Sequence, residues 1–423
     1  MGLSPWPLVA TLCLITAINT GFTYFGGSIM NSHMAAALDL DRKSLGLAFG
    51  AYGLSLGLAL PLVGLSVTRW GVRRSLLAGS LLAACGALGM GLWVKDMIGV
   101  LIAYGLVLGV GAALGGLLPA ETLVAHWFRR RLALAITVML SGTALGGFIA
   151  APLFEAVIGA FGGNWRAGWL ALAVACLLAA ALAALFVTDP PADSSPAPDG
   201  APEAPPASQP QREAGERQGI YRTTVDWPVR EALGHPCWWL VALATVWALA
   251  TFGMMAGHGV VHFRDLGHDP GRAALFLAFL PLAGFAGKLV VGTLGDRVEP
   301  RFIWGGAMGL MAAGMALAVT ATSAPALYGA AFLLGVGDSA AYPCMVTLLV
   351  NYFGRAAYAS LMGIMLLLGT LAAAIGSLLA GVVFDHFGSY AWAFYPTAAL
   401  CLLAGLMLPW VGPPRPRSTD LRV

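Results

Sequence analysis

GLSVTRWGVRR, at residues 64–74, decides the fold, because a second version, GTLGDRVEPR, returns at residues 292–301. Each version follows a long apolar run and ends in arginines, as expected where a helix leaves a membrane. A second pair of stretches, AHWFRRR at residues 125–131 and VNYFGRA at residues 350–356, repeats at almost the same separation. The chain is therefore predicted to contain two copies of one multi-helix membrane unit.

The composition is that of a membrane protein. Hydrophobic residues make up 59% of the chain and charged residues only 10%, whereas soluble globular proteins carry about 25% charged residues. The 55 glycines suit close helix packing in a bilayer. A net charge of +3 is too small to suggest a nucleic-acid partner, so lipid is the expected environment. The six cysteines lack the spacing of a disulfide framework or a metal site.

Twelve apolar segments are long enough to cross a bilayer, which requires roughly 20 residues per helix. We predict six of them in residues 1–188 and six in residues 236–412. Residues 189–235 are rich in Pro, Ala, Ser and acidic residues, which predicts a disordered linker; residues 413–423 form a tail. The predicted fold is all-α, with twelve transmembrane helices in two six-helix bundles related by pseudo-two-fold symmetry.

The basic residues predict the orientation, since cytoplasmic loops carry an excess of Lys and Arg. With the N-terminus inside, twelve basic residues fall in the cytoplasmic loops and tail, and six fall on the opposite face. The cytoplasmic set is Arg69, Arg73, Arg74, Arg129, Arg130, Arg131, Arg297, Arg301, Arg355, Arg415, Arg417 and Arg422. Both termini and the linker are therefore predicted to be cytoplasmic, in a multi-pass protein of the cell inner (plasma) membrane.

The repeated loops resemble a signature of the major facilitator superfamily, and the resemblance covers nearly the whole chain. That signature, between the second and third helices, combines a glycine, an acid and a basic turn. Thr68 replaces the acid in the first copy, while the second copy keeps it as Asp296. In the superfamily the signature links the bundles on the cytoplasmic side and helps to gate them. The resemblance therefore implies gating roles for Arg69, Arg73, Asp296 and Arg297.

Three longer stretches are similar to the monocarboxylate-porter and oxalate–formate-antiporter branch of that superfamily. They are HWFRRRLALAITVMLSGTALGG (126–147), HGVVHFRDLGHDPGRAA (258–274) and GFAGKLVVGTLGDR (284–297), and GFTYFGGSI (21–29) resembles the branch's aromatic first helix. The branch binds the substrate carboxylate through a cationic residue of its eighth helix, where Lys288 stands at the matching place. Its proton-coupled animal members add an acid and a lysine where this chain has Gly284 and Gly27.

Two charged residues lie well inside predicted helices, Lys288 in the eighth and Asp338 in the tenth. Charges within a membrane span are costly and are functional hypotheses by default. Lys288 shares a helix face with Gly284 and Gly292, so we expect it to face a cavity and bind an anion; the alternative is that its side chain reaches to the cytoplasmic surface. For Asp338 the alternatives are a pair with Lys288, uptake of a coupled proton, or a protonated acid that only ties helices together.

Other polar residues complete the candidate substrate shell. His258 is a candidate for substrate binding and for proton coupling, because histidine titrates near neutral pH. Tyr24, Tyr342 and Asn19 are further candidate ligands, with ordinary interhelical hydrogen bonds as the alternative. The spacing of His258 and His262 would suit a metal, but no third ligand is apparent in the sequence, so no metal is expected.

The sequence shows no phosphate-binding glycine loop and no nucleophile–histidine–acid set, so neither a cofactor nor enzyme activity is expected. We predict a secondary active transporter, monomeric in the bilayer, that moves a small mono- or dicarboxylate by alternating access. Protons or anion exchange would drive it. The alternatives are a porter for an unrelated solute, such as a drug or a sugar, and a membrane solute sensor.

Overall fold

The structure is a computed structural model. It describes residues 5–27, 30, 33–34, 37–38, 42–128, 131–189 and 220–414. Most of the predicted linker (residues 190–219), most of the predicted tail (residues 415–423), and Arg129 and Arg130 therefore lie outside the described residues.

Twelve long helices, which we number α1–α12, run through the described part of the chain. The first six are α1 Trp6–Gly26, α2 Arg42–Trp70, α3 Val72–Leu92, α4 Met97–Trp127, α5 Leu132–Ala160 and α6 Trp165–Phe186. The second six are α7 Pro236–Asp265, α8 Pro270–Leu294, α9 Pro300–Val319, α10 Ala324–Phe353, α11 Tyr358–Phe387 and α12 Ala391–Trp410. Eleven are long and apolar enough to cross a membrane, and α8 contains a shorter apolar stretch, Phe279–Leu294. The prediction of twelve membrane helices in two sets of six is confirmed.

Prolines and small polar caps set the starts of the helices in the second half. Pro236, Pro270 and Pro300 open α7, α8 and α9, at the position where a helix tolerates the missing N–H. The Asp269 carboxylate accepts from the Arg272 N–H at 3.0 Å and so caps α8. These local signals explain why the helix boundaries follow the sequence so closely in this half.

The chain divides into two compact units, Met1–Ala204 and Pro205–Val423. The same pairs of helices pack in each unit: the first with the fifth, the second and third with the fourth, and the third with the sixth. Thus the contact of α1 with α5 in the first unit corresponds to the contact of α7 with α11 in the second. The contact of α3 with α6 corresponds in the same way to that of α9 with α12. This repeated packing scheme is the structural counterpart of the repeated loops in the sequence.

Residues 220–235, the last part of the segment predicted to be disordered, are ordered against the second unit. The Thr223 N–H donates to the Asn351 carbonyl at 2.8 Å, and the Trp227 N–H donates to the Phe353 carbonyl at 3.1 Å. A short helix, Val229–Leu233, follows. The prediction of disorder is wrong for these residues, because the average composition of the segment hides the apolar and aromatic side chains at its end.

Glycines allow α8 and α10 to approach backbone to backbone. A Cβ atom added at Gly287 would collide with the Val336 carbonyl of α10, and one added at Gly335 would lie 3.0 Å from the Ala283 Cβ of α8. Larger side chains at these positions would push the helices apart. The contact therefore fixes the position of every residue nearby on both helices.

We predict that Gly287→Ala lowers the thermal stability of the purified protein, because overpacking a tight contact costs about 1–3 kcal/mol. Gly309→Ala on α9 is the matched control, since an added Cβ there meets nothing within 4 Å. Alanine is the better helix former by about 1 kcal/mol, so the control should be unchanged or slightly more stable. Thermal unfolding in detergent measures both variants, and equal melting temperatures for the two would contradict this account of the contact.

Candidate functional site

Lys288 on α8 and Asp338 on α10 are neighbours across the glycine contact. A Cβ added at Gly284, one turn before Lys288, would lie 3.0 Å from the Cβ of Ser339, the residue after Asp338. Both charged side chains are half-buried, and an electrostatic attraction couples them. Within the described residues neither forms a hydrogen bond or a direct ion pair. The two charges therefore lie near each other without a direct pair, and both retain the capacity to bind a ligand or water.

Asp338 and Tyr342, one turn apart on α10, line a small pocket inside the second unit. Its volume of about 20 Å³ is room for a single water molecule. The remaining lining residues come from α7, α9 and α10; they are Thr245, Ala248, Leu249, Trp304, Ala341 and Met345. Lys288 is not among them, so Asp338 is the residue common to the pocket and to the electrostatic pair.

Trp304 on α9 adds an unused donor to the wall of this pocket. Its side chain is 1% exposed, and its indole N–H has no acceptor among the residues described. The Thr245 hydroxyl, by contrast, already donates to the Val241 carbonyl at 3.0 Å. Since a buried donor without a partner is costly, the indole and the Asp338 carboxyl are suited to share one water molecule. No sequence pattern pointed to this tryptophan, because its role depends on the packing of three helices.

His258 on α7 uses both of its ring nitrogens. Nε2 lies 2.7 Å from the Ser377 carbonyl of α11, and Nδ1 lies 3.2 Å from the Tyr390 hydroxyl. A carbonyl only accepts, so in the neutral imidazole Nε2 carries the proton and Nδ1 accepts from the tyrosine. His258 thus joins α7 to α11 and to the residue before α12. A substrate could bind it only by replacing one of these bonds.

His262, one turn further along α7, is also a tie between helices. It is buried, and its Nε2 lies 3.0 Å from the Ala318 carbonyl of α9. Its ring packs against Tyr390 and Phe394 at centroid distances of 5.7 and 5.2 Å. Across the described ranges, no group of three or more His, Cys, Asp or Glu residues could hold a metal ion.

Asn19 lies in the first unit, where α1 meets an interruption of α4. The last part of α1, Ala17–Gly26, is a π-helix, and α4 is interrupted after Leu114. The Asn19 amide donates to the Gly115 carbonyl at 2.8 Å and to the Ser80 hydroxyl at 2.7 Å. A carbonyl at a helix end lacks its usual partner, and Asn19 supplies one. Its buried side chain therefore joins α1 to α3 and α4.

Tyr24 is the exposed end of an aromatic row in the first unit. Its side chain is 54% exposed, and its ring lies 6.4 Å from that of the buried Tyr52. Tyr52 in turn stacks on Tyr104 at 5.0 Å, and its hydroxyl lies 3.1 Å from that of Thr23. The Tyr24 hydroxyl makes no hydrogen bond to any residue that the structure describes. Of the candidates in this unit, it has the group best able to reach a ligand.

The predicted gating residues lie at or just beyond helix ends in their own units. Arg69, in the last turn of α2, has an exposed side chain, and the guanidinium of Arg73, in the first turn of α3, donates to the Ala184 carbonyl of α6. In the second unit, Arg297 is exposed and Asp296 is half-buried, both just after α8. Sequence reasoning missed two other acids, Asp189 and Asp226, which accept hydrogen bonds from loops of the first and second unit. Both belong to the segment that was treated as disordered, so nothing drew attention to them.

Comparison with known families agrees with this architecture. The sequence profile described as Major Facilitator Superfamily matches residues 12–263 and 259–422, almost the entire chain. Monocarboxylate transporter 13 of Bos taurus is 25% identical over 367 residues, which cover 86% of this chain and 77% of that protein. Monocarboxylate transporter 11 of Homo sapiens is 26% identical over 362 residues, 82% of this chain and 70% of that protein.

Solved structures share the fold at low sequence identity. The E. coli fucose:proton symporter FucP superposes with a TM-score of 0.71 at 14% identity, covering 97% of this chain and 99% of that chain. The proton:xylose symporter XylE gives a TM-score of 0.65 at 16% identity, covering 96% and 95%. These identities establish the fold alone.

The family match confirms the resemblance inferred from the repeated loops and from the stretches around residues 126–147, 258–274 and 284–297. It also confirms that the protein is a multi-pass membrane transporter rather than an enzyme. The chain belongs to the Major Facilitator Superfamily.

Proposed function

We propose that this transporter carries a small organic anion and that Lys288 binds the carboxylate of the substrate. The observation that supports this most is a half-buried lysine within the second half of α8 with no direct ion pair in the described structure. A cation in a membrane span is costly unless it is compensated. A bound carboxylate would compensate it, and several relatives bear the name monocarboxylate transporter.

Asp338 is the proposed proton site. When its carboxyl group is ionised, the Lys288–Asp338 pair is neutral and has little attraction for an anion. When it is protonated, the site carries one positive charge, which attracts a carboxylate. Proton uptake and anion binding therefore reinforce each other, as symport requires. A single lysine matches one carboxylate, so the proposal favours a monocarboxylate over a dicarboxylate.

The remaining candidates take different parts in this proposal. Tyr24 and Tyr342 remain proposed substrate contacts. Asn19 and His258 are proposed as ties between helices, since their donors and ring nitrogens already have partners. The gating roles of Arg69, Arg73, Asp296 and Arg297 rest on the resemblance to the superfamily. We further propose a monomer in the cell inner membrane with both termini cytoplasmic.

We predict that Lys288→Gln lowers carboxylate uptake into proteoliposomes by about 10- to 100-fold, because a hydrogen bond to a charged group contributes about 1.5–3 kcal/mol. Lys95→Gln is the matched control, since Lys95 is exposed in the loop between α3 and α4 and should transport normally. Unchanged uptake by the Lys288 variant would refute the anion site. Uptake of a neutral sugar by both variants would favour the sugar-porter alternative.

We predict that Asp338→Asn abolishes accumulation driven by a pH gradient, because the amide cannot take up a proton. Asp385→Asn, at an exposed position near the end of α11, is the control and should leave accumulation intact. The measurement is uptake of a labelled carboxylate into proteoliposomes with and without an imposed pH gradient. If the Asp338 variant accumulates substrate to the wild-type level, the proton is bound elsewhere.

A further inference from the structure

An aspartate just after α6 caps a glycine turn in the first unit. Gly71, between α2 and α3, has a φ of +85°. The Val72 and Arg73 N–H groups both donate to Asp189 Oδ1, at 2.8 and 3.1 Å. A Cβ added at Gly71 would collide with the same carboxylate. Only glycine therefore allows this turn and this approach.

A second aspartate, just before the short helix Val229–Leu233, caps a similar turn in the second unit. Gly354, between α10 and α11, has a φ of +81°. The Arg355 and Ala356 N–H groups both donate to Asp226 Oδ1, at 2.7 and 3.3 Å. A Cβ added at Gly354 would also collide with the Asp226 carboxylate. The two caps thus use the same parts in the same order: a glycine with positive φ, two successive N–H groups, and one carboxylate oxygen.

The physical basis is the same at both turns. Successive N–H groups after a residue of positive φ form a concave site that attracts an anion. At the first turn these N–H groups also open α3, whose dipole favours negative charge at that end. Arg73, Arg74 and Arg355 add positive charge at or beside the N–H groups. Each turn would attract an anion from solution, and in each unit a carboxylate from the chain itself occupies it.

Other bonds fasten the chain on either side of these caps. In the second unit, the buried Glu299 accepts from the Tyr221 N–H at 3.0 Å and from the Tyr352 hydroxyl at 3.1 Å. Together with the bonds of Thr223 and Trp227 to the end of α10, these contacts hold residues 221–227 against the start of α9 and the end of α10. In the first unit, Arg73 bonds the turn back to the Ala184 carbonyl of α6.

The Asp189 cap also supplies a carboxylate to the loop between α2 and α3, whose own sequence has Thr68 in place of the acid. Thr68 stands where the second copy has Asp296, and its hydroxyl only bonds back to its own helix, at the Gly64 carbonyl 3.1 Å away. Asp189 brings a carboxylate to this loop from a different part of the chain. The loop therefore keeps an acidic partner despite the substitution.

We infer that Asp189 and Asp226 are positioning residues for transport, each holding one loop of its own unit. Gly354 lies 16 residues beyond Asp338, or about 24 Å along α10 at 1.5 Å per residue. At that distance the Asp226 cap does not contact the proposed anion site. The two caps act on the loops that connect α2 to α3 and α10 to α11, so they set the rate of conformational change rather than the affinity for substrate.

The test uses the full-length protein and two readouts. Hydrogen exchange monitored by mass spectrometry should show that the amides of residues 72–73 exchange about tenfold faster in Asp189→Ala than in the wild type. The amides of residues 355–356 should exchange faster by a similar factor in Asp226→Ala. Each change should be confined to its own loop, with the global melting temperature nearly unchanged. Asp189→Asn and Asp226→Asn should largely restore slow exchange, because Asn caps a helix about as well as Asp.

The second readout is turnover, measured as uptake of labelled pyruvate by proteoliposomes; this readout rests on the proposed anion transport. Both alanine variants should lower the maximal rate about five- to tenfold and leave KM within twofold. Asp96→Ala and Asp269→Ala are matched controls, since these aspartates accept from the N–H groups of Gly99 and Arg272 in the first turns of α4 and α8. In these control variants the amides of Gly99 and Arg272 should exchange faster, while the maximal uptake rate stays at the wild-type value.

The inference would be overturned if amide exchange at both turns were unchanged. It would also be overturned if both alanine variants kept the wild-type maximal rate, or if only their KM changed. Failure of the wild-type protein to move pyruvate would count against the proposed substrate class alone. The exchange measurement needs no substrate, so it decides separately whether the two aspartates hold the loops.

Discussion

The cost of placing a lysine and an aspartate inside a membrane span is the constraint on which the second unit depends. Neither Lys288 nor Asp338 has a direct partner in the described structure, yet each lies in the electrostatic field of the other. The glycine contact between α8 and α10 fixes this separation. A direct pair would neutralise both groups permanently, whereas a separated pair can respond to a proton and to an anion.

The first unit has a similar glycine contact between α2 and α4. A Cβ added at Gly105 of α4 would lie 2.9 Å from the Ala51 Cβ of α2, and one added at Gly109 would lie 2.9 Å from the Tyr52 carbonyl. The contact between α2 and α4 therefore corresponds to that between α8 and α10. The side chains near the two contacts differ. In the first unit they form an aromatic row with hydroxyl groups, and in the second they include the charged Lys288 and Asp338. Duplication supplied the scaffold, and the later divergence of side chains distinguishes the two halves.

The sequence predicted the parts of the fold that depend on hydrophobic length and repetition. Twelve helices, the division into two sets of six and the interest of the two charges within helices all follow from apolar runs and from the cost of charge in lipid. The order of residues 220–228 could not be predicted from composition, because a few apolar side chains such as Trp227 determine it. An average over the whole linker conceals them.

Individual polar partners were equally inaccessible to sequence reasoning. Asn19 and His258 have the residue types expected of ligands, but the Asn19 amide N–H groups already bond to Gly115 and Ser80, and both His258 ring nitrogens already bond to Ser377 and Tyr390. Those partners lie 61 to 132 residues away along the chain.

Asp189 and Asp226 show the opposite case. They lie in a segment predicted to be disordered, and their capping role is visible only once the structure places them beside Gly71 and Gly354. Spacing along one helix carries no information about such contacts.

The most direct test of the central claim is ligand-dependent thermal stability of the purified protein, compared between the wild type and Lys288→Gln. Both would be heated with a panel of small carboxylates and neutral sugars, since a ligand that binds the folded state raises its apparent stability by mass action. The account predicts that at least one monocarboxylate raises the melting temperature of the wild type and has no effect on the variant. Equal shifts in both proteins, or a response to sugars alone, would contradict it.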